Sequence, residues 1–198
     1  MIKVFLLALA LAVSLVGPAG AGPLEDGLAA YQKGDYATAL KFWQPLADQG
    51  TAVAQYGLGV MYEAGQGVPK DHVQAAFWHR KAADQGHADA QYTLGFMYEG
   101  GQGVPKSAAQ ALFWYRKAAD QGYAKGQHAL GNIYYRGESV PQDYIQAHMW
   151  MNLAVSRYTD SDFGFRASAV ERRDEIAAKM TPGQIAEAQR LASAWKPK

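Results

Sequence analysis

Five histidines, His72, His79, His87, His128 and His148, are the side chains best suited to acid–base or metal chemistry in this chain. None of them frames the His-Glu-x-x-His spacing of a zinc hydrolase. Ser193-Ala194-Trp195-Lys196 has the spacing of a serine nucleophile with its lysine base. It stands without Ser-Asp-Asn or Lys-Thr-Gly partners and reads as chance. Gly65-Gln66-Gly67-Val68 resembles a phosphate-cradling loop, but it joins two helical segments and recurs at Gly101, so it reads as a turn. The chain contains no cysteine, which excludes disulfides, thiolate metal sites and lipid attachment through an N-terminal cysteine. No catalytic, metal or cofactor set emerges. What remains is non-covalent recognition. Val53, Tyr56, Val60 and Glu63 share one helical face, with counterparts Asp89, Tyr92, Phe96 and Glu99, then Lys125, His128, Asn132 and Tyr135.

Those rows recur because the chain repeats itself. Residues 52–87 and 88–123 agree at 26 of 36 positions without a gap, and a third copy begins at Ala124 and fades toward its end. A fixed period of this size marks a solenoid. Each copy reads as two antiparallel helices. In the first, Ala54, Leu58, Met61 and Tyr62 form an apolar stripe. Gly59, Gly95 and Gly131 lie inside it, and since a helix-interior glycine costs roughly 1 kcal/mol against alanine, close approach of the paired helix is expected there. Gly65 to Lys70 and Gly101 to Lys106 end this helix, glycine giving a left-handed C-cap and proline blocking continuation. Asp71, Ser107 and Asp143 then fall at N-cap positions. The second helix carries Ala75, Phe77-Trp78 and Ala82-Ala83, repeated as Ala111, Phe113-Trp114 and Ala118-Ala119 and again as Ala147, Met149-Trp150 and Ala154-Val155. Bulk on one helix must meet a gap on the next, so the tryptophans read as core.

The flanks depart from the pattern. Residues 1–21 read as a secretory signal peptide: Lys3, an apolar run from Val4 to Val16 broken only by Ser14, then Gly17-Pro18 and the small residues Ala19-Gly20-Ala21. The run is too short for a membrane span, which needs about 20 residues, so no membrane insertion is expected once the signal is removed. Residues 22–51 read as a degenerate N-terminal capping repeat, with Gly34-Asp35-Tyr36 as its turn. Residues 52–87, 88–123 and 124–158 follow as repeats, the last one degenerate, and residues 159–198 as C-terminal capping helices. In the last segment Asp160-Ser161-Asp162 reads as a loop, Phe163 to Lys179 as a charged helix, and Thr181-Pro182-Gly183-Gln184 as a capping box. The full chain has 19 basic and 18 acidic residues, and loss of Lys3 leaves them balanced. Nucleic-acid binders are usually basic, so nucleic acid is not the expected partner.

The runs Ala54-Gln55-Tyr56-Gly57-Leu58-Gly59-Val60-Met61-Tyr62 and Gly65-Gln66-Gly67-Val68-Pro69-Lys70-Asp71, with Ala75, Trp78 and Lys81 to Gly86, resemble a Sel1-like repeat, a relative of the tetratricopeptide repeat with a longer interhelical loop. The resemblance covers about residues 24–158. It implies an all-α fold, a right-handed α/α superhelical solenoid closed by capping helices. It also implies an adaptor role in bacterial envelope, secretion or signalling systems. In such a superhelix the first helices line the concave side. Tyr56, Val60, Glu63, Tyr92, Phe96, Glu99, His128, Asn132 and Tyr135 would then form a groove for a protein or peptide, aromatics rimmed by carboxylates suiting a segment with a basic residue. The tyrosines fit equally well as packing between adjacent repeats. The resulting expectation is a monomeric, periplasmic or secreted, non-enzymatic adaptor without cofactors. The alternative is a cell-wall-associated protein that binds or hydrolyses peptidoglycan-derived or β-lactam ligands, as in a cysteine-rich branch of the family whose paired cysteines this chain lacks.

Overall fold

The computed structural model describes residues 22–198, so the signal-peptide expectation falls outside the described residues. Ten α-helices and one 3-10 turn follow one another, with no strand among the described residues. They divide into two compact units. The first runs to His87 and includes the turn Gln102–Val104. It contains α1 (Pro23–Gln32), α2 (Tyr36–Asp48), α3 (Ala52–Ala64) and α4 (His72–Asp84), each packed on the next. The second comprises Ala88–Gly101 and Pro105–Lys198. It contains α5 (Ala88–Gly100), α6 (Ala108–Asp120), α7 (Ala124–Arg136), α8 (Tyr144–Arg157), α9 (Phe163–Ala177) and α10 (Pro182–Ala194). Helices α5 to α8 pack in sequence, and α9 and α10 both lie on α8. No described helix is long and apolar enough to cross a membrane.

The helix ends follow from local chemistry. Asp71, Ser107 and Asp143 accept amide hydrogens at the starts of α4, α6 and α8. Their own amides donate back to the carbonyls of Tyr62, Tyr98 and Tyr134, closing each interhelical loop. Gly65 and Gly137 are left-handed C-caps of α3 and α7, at a φ of 70° in both. Thr181 and Gln184 form the reciprocal capping box of α10, with Pro182 at its first turn. Asp160–Asp162 is not an open loop as expected. A second reciprocal box, Thr159 with Asp162, winds it into a 3-10 turn leading into α9.

The interior glycines admit a side chain, rather than the backbone, of the paired helix. A Cβ on Gly59 would stand 2.5 Å from the His79 ring. On Gly95 it would meet the Tyr115 ring at 2.7 Å, and on Gly131 the Met151 side chain at 2.8 Å. Trp43 of α2 is enclosed from two sides in the same way, by Gly27 of α1 and Gly57 of α3, and its indole N–H donates to the Leu24 carbonyl at 3.2 Å. Around it Ala30, Ala39, Ala54, Leu58, Met61 and Trp78 complete the core of the first unit. In the second unit Trp150 and Leu153 of α8 pack with Ala188, Leu191 and Trp195, so α10 seals the last repeat. Met151 and Ala154 pack with Ala169 and Ile176 of α9.

Two further devices hold repeat to repeat. Gln55, buried in α3, donates to the Ala47 carbonyl at the end of α2 and accepts from Gln85. Gln127 of α7 donates likewise to the Ala119 carbonyl of α6. The second glycine of the first two long loops also seats on the start of the preceding second helix. A Cβ on Gly67 would lie 2.9 Å from Tyr36 Cβ, and one on Gly103 would lie 1.9 Å from the His72 carbonyl oxygen. Both glycines have positive φ, which no non-glycine residue in the described chain adopts.

These contacts give glycine replacements opposite signs. Gly95→Ala should lower stability by about 1–3 kcal/mol, because overpacking against Tyr115 outweighs the helix-propensity gain. Gly164→Ala and Gly183→Ala, where an added Cβ meets nothing within 4 Å, should raise it by up to about 1 kcal/mol. Thermal melts of the three variants check both signs.

Candidate functional site

In the second unit, the first helices of two successive repeats and the terminal helix α9 enclose a cleft of about 360 Å³. Helix α5 presents Tyr92, Phe96 and Glu99, one turn apart, and α7 presents Lys125, His128, Asn132 and Arg136. Tyr115 of α6 and Tyr158, just past α8, also line the cleft, and Phe165 and Ser168 of α9 line its far side. Each repeat seats its face residue on an aromatic at its own end: the Tyr92 ring lies 5.9 Å from that of Tyr123, and His128 Nδ1 pairs with the Tyr158 hydroxyl at 3.1 Å. Tyr158 in turn stacks on Phe165.

The polar groups divide into engaged and unengaged sets. Tyr115 donates its hydroxyl to Glu99 Oε2 at 2.7 Å, and Arg136 Nη1 approaches Glu99 Oε1 at 3.4 Å. Burial first, and the hydrogen bond to Glu99 second, raise the Tyr115 pKa far above the usual phenol range. Burial likewise raises Tyr158, with Tyr92 and Asp162 adding to it. Tyr92 is raised by burial and then by Glu99. His128 is lowered by burial and by the nearby Arg172 guanidinium. The cleft is therefore lined by neutral rings at neutral pH. Lys125 Nζ sits 5.0 Å from the centre of the Phe165 ring and forms no salt bridge among the described residues. Asn132 makes no hydrogen bond through its amide among the described residues.

Of the expected row residues, the structure gathers Tyr92, Phe96, Glu99, Lys125, His128 and Asn132. Tyr135 is elsewhere: its ring lies between Arg172 and Lys179, and its hydroxyl donates to Glu175 and accepts from Lys179 at 2.7 Å, tying α7 to α9. Asp89 accepts from Tyr123 at 2.5 Å. Tyr56, Val60 and Glu63 belong to the first unit. There Tyr56 stacks on His87 at 4.8 Å and tilts over the fully buried His79 at 5.3 Å. Glu63 Oε2 lies 3.5 Å from His79 Nε2, and that neighbour chiefly lowers the Glu63 pKa. Tyr56 and Tyr92 thus pack within their own repeats while standing on the candidate face.

Arg136, Tyr115, Tyr158 and Phe165 were not anticipated. Arg136 follows Asn132 by one turn, so extending the α7 row would have found it. Tyr158 ends the last repeat where Tyr123 ends the one before it, a periodic signal that was not used, and Phe165 follows the repeats and had none. Ser193 of the Ser-x-x-Lys donates to the Gln189 carbonyl within α10, and Lys196 lies beyond the helix end. No group of three His, Cys, Asp or Glu side chains among the described residues could hold a metal ion.

The Sel1 repeat family matches residues 21–51, 52–87, 88–123 and 124–157. The chain belongs to the Sel1 repeat family. Among solved structures, it is similar to a protective antigen of uropathogenic Escherichia coli that displays an SLR fold, with 35% identity and a TM-score of 0.66. That match covers 86% of this chain and 37% of the antigen, so the chain spans well under half of that protein. It is also similar to a Sel1 repeat protein from Oxalobacter formigenes, with 30% identity and a TM-score of 0.66 over 86% of this chain and 74% of the other. No curated protein sequence matches. With its helix pairs and these neighbours, the chain has the all-helical fold of a Sel1 solenoid. Sel1 repeats generally mediate protein–protein interaction and typically act as non-catalytic scaffolds.

The lowered histidines fix the direction of a pH effect. His128 and His148 both titrate below their ordinary value of 6.5 in the folded chain, His148 through burial first and then Arg173. Below pH 6.5 the unfolded chain therefore binds more protons, and stability falls with acidification. The melting temperature should drop between pH 7 and pH 5, and His128→Gln with His148→Gln should flatten that drop.

Proposed function

We propose that this Sel1 protein is a non-enzymatic adaptor of the bacterial envelope, exported by its N-terminal signal, and that it holds a protein or peptide segment against the first-helix face. The observation that carries this reading is the cleft of the second unit. It combines a Phe96 residue that is 47% exposed with an unengaged Asn132 amide and a Lys125 ammonium that forms no salt bridge among the described residues. Exposed aromatics beside unengaged polar groups are what a recognition surface requires, since the ring supplies apolar area and the amide fixes the orientation of a chain. An amide that offers both a donor and an acceptor matches a peptide unit, which offers the same pair. The generic role of Sel1 repeats supports the same class of partner, and the N-terminal apolar run supports the location.

Tyr56 and Tyr92 make poor probes of binding, because their rings also hold their repeats together. Phe96→Asp combined with Asn132→Ala is the better variant. Proteins retained from an envelope extract by the wild type should be lost by this variant at an unchanged melting temperature. They should be kept by Phe113→Asp, which alters a 47%-exposed ring on α6 that does not line the cleft. Equal retention by all three proteins would place the binding surface elsewhere.

A further inference from the structure

We propose that the cleft of the second unit selects an extended segment carrying an Asp or Glu side chain beside an apolar residue. This rests on the adaptor reading above and deepens it by naming the chemistry of the occupant. Sequence alone pointed the other way, since Glu63 and Glu99 on the repeat face suggest a partner with a basic residue. The structure removes Glu99 from that role, because its two oxygens already receive the Tyr115 hydroxyl and the Arg136 guanidinium.

The charges left facing the cleft are positive. Lys125 forms no salt bridge among the described residues, although the Asp162 carboxylate, its pKa lowered chiefly by Thr159, is near enough for the Lys125 charge to lower it further. Arg136 shares a single carboxylate at 3.4 Å with its side chain 46% exposed. Arg172 lies near enough to add to burial in depressing His128, but its guanidinium is already paired with Glu175, so the positive charge left for an occupant is that of Lys125 and Arg136. The acidic groups nearby are already occupied. Asp162 accepts both the amide and the hydroxyl of Thr159. Glu175 accepts from Tyr135 and Arg172 and lies 3.7 Å from Lys179. His128 is kept neutral and adds no charge at neutral pH.

Spacing completes the recognition pattern. Lys125 and Asn132 are seven residues apart on α7, about 10 Å along the helix axis. That is the length of about three extended residues. A chain whose backbone pairs with the Asn132 amide would thus present a carboxylate to Lys125 about three residues away. An apolar side chain at the other end would cover Phe96. A carboxylate meeting this cation would make a charge-assisted contact, and a basic side chain there would be repelled, so the charge contributes selectivity as well as attraction.

The test is selection from a display library of random twelve-residue peptides, both ends held within the display scaffold, against the purified protein. Asp and Glu should be enriched several-fold in the selected set, within about three residues of an apolar position. A synthetic selected peptide should lose at least tenfold in affinity when its acid becomes Asn or Gln, and equally when the protein carries Lys125→Glu. That variant lies in the first turn of α7, where a carboxylate suits the helix dipole, so it should fold. It should also reverse the selection toward Lys and Arg. Neutral or basic peptides selected by the wild type, or an unchanged profile with Lys125→Glu, would overturn the inference. If those peptides still depend on Phe96 and Asn132, the cleft remains a binding surface with another specificity. No selection by a folded protein would overturn both readings.

Discussion

The candidate face depends on a large side chain seated against a glycine across each helix pair. Gly59 receives His79, Gly95 receives Tyr115 and Gly131 receives Met151, each at a distance no Cβ would allow. The glycine forgoes helix propensity, and in return the side chain from the paired helix can lie directly against its backbone. There its polar end meets the face residue one turn further on: His79 lies at Glu63, and Tyr115 bonds Glu99. A contact inside the repeat thus decides whether the face glutamate is engaged. In the third repeat Met151 has no comparable polar end, and Tyr135, at the glutamate position, turns to α9 instead.

The fold was legible because its signals are local and were written more than once. Two nearly identical copies displayed the period, the N-cap residues at 71, 107 and 143, and the glycine-ended helices, each set by one or two residues acting on the adjacent backbone. The interior glycines announced a close approach, but not what approached, since a ring and a backbone impose the same demand for a missing Cβ. Gln55 sat unnoticed in an apolar stripe because its bond to the Ala47 carbonyl spans a helix boundary.

The site was half legible for related reasons. Periodicity placed Tyr92, Phe96, His128 and Asn132 on common faces, and the structure gathers them in one cleft. It could not reveal the sign of that cleft. Glu99 reads as an available carboxylate until Tyr115 and Arg136 are seen on its two oxygens, and neither contact leaves a mark in the spacing of the acidic residues. Phe165 comes from beyond the repeats, where no second copy exists for comparison, and Tyr158 stands at the faded end of the third copy, where the match to Tyr123 is easily missed. Tyr135 occupied the right position in the row and was drawn away by Glu175 of a helix that has no counterpart upstream and by Lys179 just past its end.

The second loop glycine also governs how such an array can lengthen. Gly67 and Gly103 are plugs that fit the head of the helix pair before them, and the third loop carries Ser139 at that place, without a left-handed backbone, beside a hollow of about 240 Å³ over Ala108. Copies made from the first two modules arrive with their own plug and can be stacked one behind another. The third module bears the terminal helices on its outer side and lacks the plug on its inner one. Duplication of either of the first two modules would carry this plug with it, and duplication of the third would not.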